Sequence, residues 1–171
     1  MRKQFPDLVL FLTIASLVIS SCGENNQITL KIVSSLPLTG SSKSQTVAIA
    51  NAMELRVEQA RNKACDGKYR VVYESWDDSS AAEGKWDSEM ETRNANNAVN
   101  DKSIIAYLGT FNSGAAKLSM PILNQAEMVM ISPANTYPGL THKVEGVTEP
   151  DEPYMYFPNG MRNYVRLVAT D

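Results

Sequence analysis

The stretch from Ile104 to Thr136 constrains the fold more than any other part of the chain. It opens with an apolar run, Ile104 to Leu108, meets Gly109, and passes through a small polar loop into a helical pattern over Ser113 to Gln125. A second apolar run, Met128 to Ile131, also ends in a small polar loop, Ser132-Pro133-Ala134-Asn135-Thr136. Continuous apolar runs of this length mark strands covered on both faces, and a helix between two of them makes a crossover between parallel strands. Both loops then lie at the carboxyl ends of their strands, where open α/β sheets bind ligands. Asn112-Ser113 and Ser132 to Thr136 are therefore expected side by side, as half of a clamp around a small molecule.

The remaining pattern extends this unit in both directions. Ile28 to Ser34 reads as a first strand, and a helix is expected from Gln45 to Asn62, with Ile49, Met53, Val57 and Ala60 at helical spacing. Asp66-Gly67 makes a turn before a second strand, Tyr69 to Ser75. Asp77-Asp78 follows, a carboxylate pair that can serve as turn and cap residues or as an acid–base or metal pair. Ser80-x-x-Glu83 fits a capping box and predicts a helix from Ala81 to Asn100, with Ala82, Trp86, Met90 and Ala98 along one side. Pro121 is expected to kink the helix that follows Ser113. Residues 137–161, broken by Gly139, Pro150, Pro153, Pro158 and Gly160, predict a long surface excursion before a fifth strand, Tyr164 to Thr170. The expected class is α/β, a three-layer sandwich around a mostly parallel sheet of about five strands.

Hydrophobic residues make up 43% and charged residues 20% of the 171, a balance that fits a globular domain rather than a disordered chain. A net charge of −3 with scattered lysines and arginines gives no basic footprint for nucleic acid. Arg2 and Lys3 precede an apolar stretch from Leu8 to Ile19, the layout of a secretory leader. Ile19-Ser20-Ser21-Cys22 resembles a bacterial lipobox, in which the cysteine is acylated and becomes the new amino terminus; a plain secretory signal is the alternative. Residues 1–21 are thus expected to be a lipoprotein signal peptide, 22–27 a tether, and 28–171 the folded domain. With Cys22 lipidated, Cys65 is expected to be a free thiol; the single histidine, His142, and the lack of a CxxC give no metal set.

The loop chemistry narrows the function. Gly109-Thr-Phe-Asn-Ser-Gly114 invites a phosphate-loop reading, but Ala115 and Ala116 occupy the places where Lys and Ser or Thr are needed, which argues against nucleotide hydrolysis. What remains is a helix amino terminus, whose free N–H groups and positive dipole end suit a carboxylate. Ser113 serves there as an N-cap, as a ligand contact, or as both. In the companion loop Pro133 donates nothing, so the Ala134 carbonyl and the Thr136 hydroxyl are placed to receive an ammonium. A carboxylate site beside an ammonium site suits an amino acid.

Three segments carry a resemblance: Leu30-Lys-Ile-Val-Ser-Ser-Leu-Pro-Leu-Thr-Gly40, Ala106-Tyr-Leu-Gly-Thr-Phe-Asn-Ser-Gly114 and Met130-Ile-Ser-Pro-Ala-Asn-Thr136. With the leader and strand order, they resemble the amino-terminal lobe of branched-chain amino acid type periplasmic binding proteins, the solute receptors of ABC transporters. The resemblance covers residues 28–171 and implies one lobe of a type I periplasmic binding fold, stopping where the first crossing to a second lobe would begin. It implies Ser113, Ala134 and Thr136 as contacts to the ligand's carboxylate and ammonium, with Asn112, Asn135 and Gln45 as further candidates. Gln45 stands where members often place an aromatic over the ligand, and Asn112 where some carry a disulfide cysteine. The implied role is delivery of an amino acid or similar small polar solute to a membrane ABC permease, with no cofactor, by a protein held outside the cell membrane through lipid on Cys22. The alternatives are a truncated receptor or sensor that transports nothing, and a secreted serine hydrolase. The last lacks a GxSxG elbow around Ser113.

Overall fold

The computed structural model describes residues 27–171; the expected signal peptide, Cys22 and all but the last residue of the tether lie outside the described residues. β1 (Ile28–Leu36) leads through a 3-10 turn at Gly40–Ser42 into α1 (Lys43–Gln59). Two-residue β2 (Lys63–Ala64) and β3 (Tyr69–Asp77) follow, then a hairpin of β4 (Ser79–Ser80) and β5 (Lys85–Trp86), and α2 (Ser88–Asn100). β6 (Ile104–Gly109), α3 (Ser113–Gln125) and β7 (Val129–Ser132) form the strand-helix-strand unit, and β8 (Tyr164–Arg166) comes last. The main sheet runs β2-β3-β1-β6-β7-β8, and every pair in it is parallel except β2 with β3. Five parallel strands match the expected sheet; β2 makes a sixth, a two-residue edge too short to leave a periodic signal.

Strand alternation sorts the two faces of the sheet. Val33, Tyr107, Met130 and Tyr164 lie in register across β1, β6, β7 and β8. All four are buried, against Ala98 of α2 and Ala116, Met120 and Leu123 of α3. On the opposite face α1 covers β1 and β3: the Tyr73 hydroxyl donates to Met53 Sδ at 3.6 Å, and Thr46 and Ala50 are buried. Beyond α1 that face is less covered, and Val129 and Val165 stay exposed. Pro121 sits inside α3, which keeps the bounds its pattern predicts.

Three expectations differ from the structure. The helix predicted from Ala81 begins only at Ser88, because Asp87 is the true cap: its Oδ1 accepts from the N–H groups of Glu89 (2.8 Å) and Met90 (3.2 Å). Ser80 does accept from the Glu83 N–H at 3.2 Å, but that bond closes a hairpin turn in which Gly84 takes φ +60°. Trp86 therefore belongs to a strand and not to the buried stripe of a helix. The hairpin is strapped to the loop after β1, where the Ser41 N–H donates to the Gly84 carbonyl at 3.0 Å. Gly40 has φ +75°, and a Cβ there would lie 2.1 Å from the Gly84 oxygen. Gly40→Ala is expected to destabilise the fold by about 2 kcal/mol, read as a lower urea midpoint, since side chain and strap cannot share that space.

Residues 137–161 are not a surface excursion. Leu140, Tyr156 and Phe157 enter the core, and buried Glu152 anchors the segment. Glu152 accepts from Lys117 Nζ (2.8 Å), the Tyr137 hydroxyl (2.5 Å), the Glu149 N–H (3.0 Å) and the Tyr156 hydroxyl. Burial works against the carboxylate, yet the Lys117, Tyr137 and Tyr156 donors together hold it down to about 2. The last strand also ends earlier than expected, at Arg166 rather than Thr170.

Candidate functional site

The two loops at the carboxyl ends of β6 and β7 are bonded to each other. Ser132, the last residue of β7, donates from Oγ to the Thr110 carbonyl (2.9 Å) and accepts from the N–H groups of Ala134 (3.1 Å) and Asn135 (2.9 Å). Asn135 is fully buried, and its Nδ2 donates to the carbonyls of Thr110 (3.0 Å) and Phe111 (3.1 Å). Its Oδ1 accepts from the Tyr164 hydroxyl at 3.0 Å, so one side chain joins β6, β7 and β8. This differs from the contact role expected for Asn135: its amide is engaged by the protein itself, and it welds the loops. Arg166 adds a second brace, donating from one Nη to the carbonyls of Asn135 (3.3 Å) and Tyr137 (2.8 Å).

At the start of α3, Asn112 is the cap residue, and its carbonyl accepts from the N–H groups of Ala115 (3.1 Å) and Ala116 (3.2 Å). The amides of Ser113 and Gly114 thus stay outside the ladder of the helix, as first-turn amides do. Among the described residues the buried Asn112 Oδ1 has no hydrogen-bond partner. The Ser113 hydroxyl accepts from the Tyr137 N–H at 3.3 Å, so it ties the loop after β7 to the helix. The Thr136 hydroxyl donates to Asp171 Oδ2 at 2.6 Å, and the Asp171 N–H returns a bond to the Thr136 carbonyl at 3.1 Å. Gln45 is exposed in the first turn of α1, on an element that none of these loop-to-loop bonds reaches. Hydrogen bonds thus tie Asn112, Ser113, Ala134, Asn135 and Thr136 into one pair of loops, while Gln45 takes no part in that bonding.

Beneath the loops lies a buried acidic layer. Glu91 of α2 accepts from the Ser35 hydroxyl (2.6 Å) and the Tyr107 hydroxyl (3.0 Å), while Asn94 donates to Ser35 Oγ at 3.0 Å. Burial pushes the Glu91 carboxyl up to about 8 against those hydrogen bonds, with nearby Asp78 adding to the rise. Asp78 is fully buried with both carboxyl oxygens unpartnered among the described residues; burial first, then Asp77, raises it to about 7. Asp77 has a structural task, accepting from the Ser79 N–H at 2.8 Å within its own turn and from the Leu38 N–H and Thr39 hydroxyl, at 2.8 Å each, in the loop after β1. That is the turn-and-cap role, not a paired acid and base.

Sequence spacing did not single out Arg166, Tyr164 or Trp86 for this region. Trp86 comes from the β4–β5 hairpin, and a Cβ on Gly114 would lie 2.8 Å from its Cζ2 atom. A glycine in the first turn of a helix is the one local feature that agrees with such close packing. His142 is held by the neighbouring Thr141 hydroxyl at 3.0 Å, and Ser113 bonds a backbone amide, so the two do not form a nucleophile–base pair. Cys65 is an exposed free thiol. Among the described residues no cluster of three or more His, Cys, Asp or Glu side chains is placed to hold a metal, and no helix is long and apolar enough to cross a membrane.

No family model and no curated protein matches the sequence. Solved structures do match the fold. A solute binding protein of an ABC transporter from Rhodopseudomonas palustris BisB5, in complex with 3,4-dihydroxy benzoic acid, aligns with a TM-score of 0.62 at 20% identity, over 83% of this chain and 32% of that one. The leucine binding protein LivK from Thermotoga maritima gives 0.61 at 19% identity, over 83% and 33%. The branched-chain amino acid transporter substrate binding protein LivJ from Streptococcus pneumoniae, in complex with isoleucine, gives 0.56 at 24% identity, over 66% and 31%. The chain spans about a third of the length of these structures, and its mostly parallel α/β sheet has the fold of one lobe of a type I periplasmic binding protein.

Proposed function

We propose that this chain is the amino-terminal lobe of an extracytoplasmic solute-binding protein, taking a small carboxylate-bearing solute of the amino acid type and handing it to an ABC importer. The observation that carries this is the welded pair of loops, with the uncommitted amides of Ser113 and Gly114 on one side and the oxygens of Ala134 and Thr136 on the other. The amides and the positive end of α3 receive the carboxylate. The Ala134 carbonyl and the Thr136 hydroxyl receive an ammonium, and Asp171, bonded to Thr136, supplies negative charge beside it. Asn112 and Gln45 stand as outer contacts, and Asn135 acts by holding the loops rather than by touching solute.

The lipobox-like Ile19 to Cys22 supports anchoring by lipid on Cys22 and a membrane permease as partner. The fold neighbours are themselves binding proteins, which supports recognition without chemistry. Calorimetric titration of the full chain with L-leucine, L-isoleucine, L-glutamate, benzoate and urea tests the claim. Binding of at least one carboxylate, weakened tenfold or more by Ser113→Pro, which removes an amide, is the expected result. Heat from urea alone, or from none of the five, sinks it.

A further inference from the structure

The β4–β5 hairpin brings an aromatic ring to the start of α3. Both of its ends are fixed: Ser79 Oγ donates to the Thr39 carbonyl at 3.1 Å, and the Asp87 N–H donates to the Asp78 carbonyl at 2.7 Å. The strap from Ser41 to Gly84 holds its turn. The ring of Trp86 therefore has a defined position, packed on Gly114, with Cζ2 2.8 Å and Cη2 3.2 Å from where a Cβ would stand. Only a glycine leaves room for the ring there. Trp86 is half-buried, and it borders an open recess of about 250 Å³ with Glu83, Lys85, Asp87 and Ser88, so the protein does not close over it.

Gly114 owns one of the two amides left outside the ladder of α3. The indole thus packs on the residue that carries one of these donors. Amides aimed at an anion fix a carboxylate, and an aromatic face beside them favours a ligand whose other end is flat and apolar. We infer that Trp86 is a specificity-determining wall of the cleft, selecting carboxylates that carry an aromatic group over small polar ones. This rests on the reading of the α3 amino terminus as the carboxylate site.

The chain has two tryptophans, Trp76 and Trp86, so Trp76→Phe leaves Trp86 as the sole indole fluorophore. Benzoate added to that full-length variant is expected to change Trp86 emission with the midpoint that calorimetry gives. Trp86→Ala is expected to weaken benzoate tenfold or more while moving L-alanine less than about twofold. Gly114→Ala, which pushes the ring aside without removing it, is expected to do the same to a smaller degree; Trp86→Leu serves as the substitute should the alanine variant not fold. Benzoate binding of unchanged affinity in the Trp86 variants overturns the inference and leaves the solute-binding proposal standing. Silence of the unaltered chain toward benzoate, L-leucine and L-alanine overturns both.

Discussion

Raising the pH from 5 to 9 is expected to cost this protein on the order of 4 kcal/mol of stability through Glu91 alone, and Glu91→Gln is expected to remove that share. Glu91 is fully buried, and its folded value of about 8 lies above its ordinary value of 4.5. Between those two values the unfolded chain releases the proton while the folded chain keeps it. Stability therefore falls as pH climbs from about 4.5 to about 8 and is flat above; at roughly 1.4 kcal/mol per unit this gives the figure above. Asp78, raised to about 7, works in the same direction. Glu152 works in the opposite one: held at about 2, it adds stability that is present above about 4.5 and is lost as pH falls toward 2. The three together place the stability maximum near pH 4, where the gain from Glu152 balances the losses from Asp78 and Glu91.

The glutamine substitution keeps the shape and offers oxygen and nitrogen where Ser35 and Tyr107 now donate to two oxygens. A rotated Ser35 hydroxyl can accept, at a modest cost at low pH. Urea midpoints of the two proteins at pH 5, 7 and 9 read the effect directly. The expected outcome is near equality at pH 5 and a clear advantage for the variant at pH 9, with a residual slope from Asp78. Parallel pH profiles would mean that the carboxyl is ionised and solvated where the geometry buries it.

The strand-helix-strand unit was legible because its signals are local and agree with one another. Two continuous apolar runs, a small polar loop after each and a helical pattern between them allow little else, and α3 spans Ser113–Gln125 as its pattern predicts. The helix expected from Ala81 failed because Ser80 and Glu83 satisfy the capping spacing in a turn as well as in a helix, and Trp86 falls at helical spacing from Met90 by coincidence. The Asp87 cap and the strap between Gly40 and Gly84, some forty positions apart in sequence, distinguish the two. The 137–161 segment was read as surface because proline, glycine and acidic residues dominate it. One of those acidic residues, Glu152, is buried by donors from Lys117, Tyr137 and Tyr156 that no spacing rule connects. The same limit applies to Arg166 and Trp86, whose partners lie on other elements. Local patterning placed the two loops, and long-range contacts decided which of their side chains are taken up in holding the loops together.

Asn135 makes that division testable. Asn135→Leu keeps the number and branching of the heavy atoms, adds the bulk of two methyl groups, and removes two donors and an acceptor from a fully buried position. The Phe111 carbonyl and the Tyr164 hydroxyl lose their partner, while the Thr110 carbonyl retains Ser132. With roughly 1–3 kcal/mol for each buried group left unpaired, the variant is expected to lose about 3–5 kcal/mol, in the exceptional range for a single substitution. Asn135→Asp should be worse, since it turns a carboxylate toward the carbonyls of Thr110 and Phe111. Urea denaturation at pH 5 checks both values. A residue whose amide merely touched solute would cost little stability when replaced and much affinity; one that welds the loops costs both, because the amides of α3 and the oxygens of the second loop then lose their spacing. A stability loss under about 1 kcal/mol for Asn135→Leu, with affinity alone reduced, would return Asn135 to the solute and take the weld out of the mechanism.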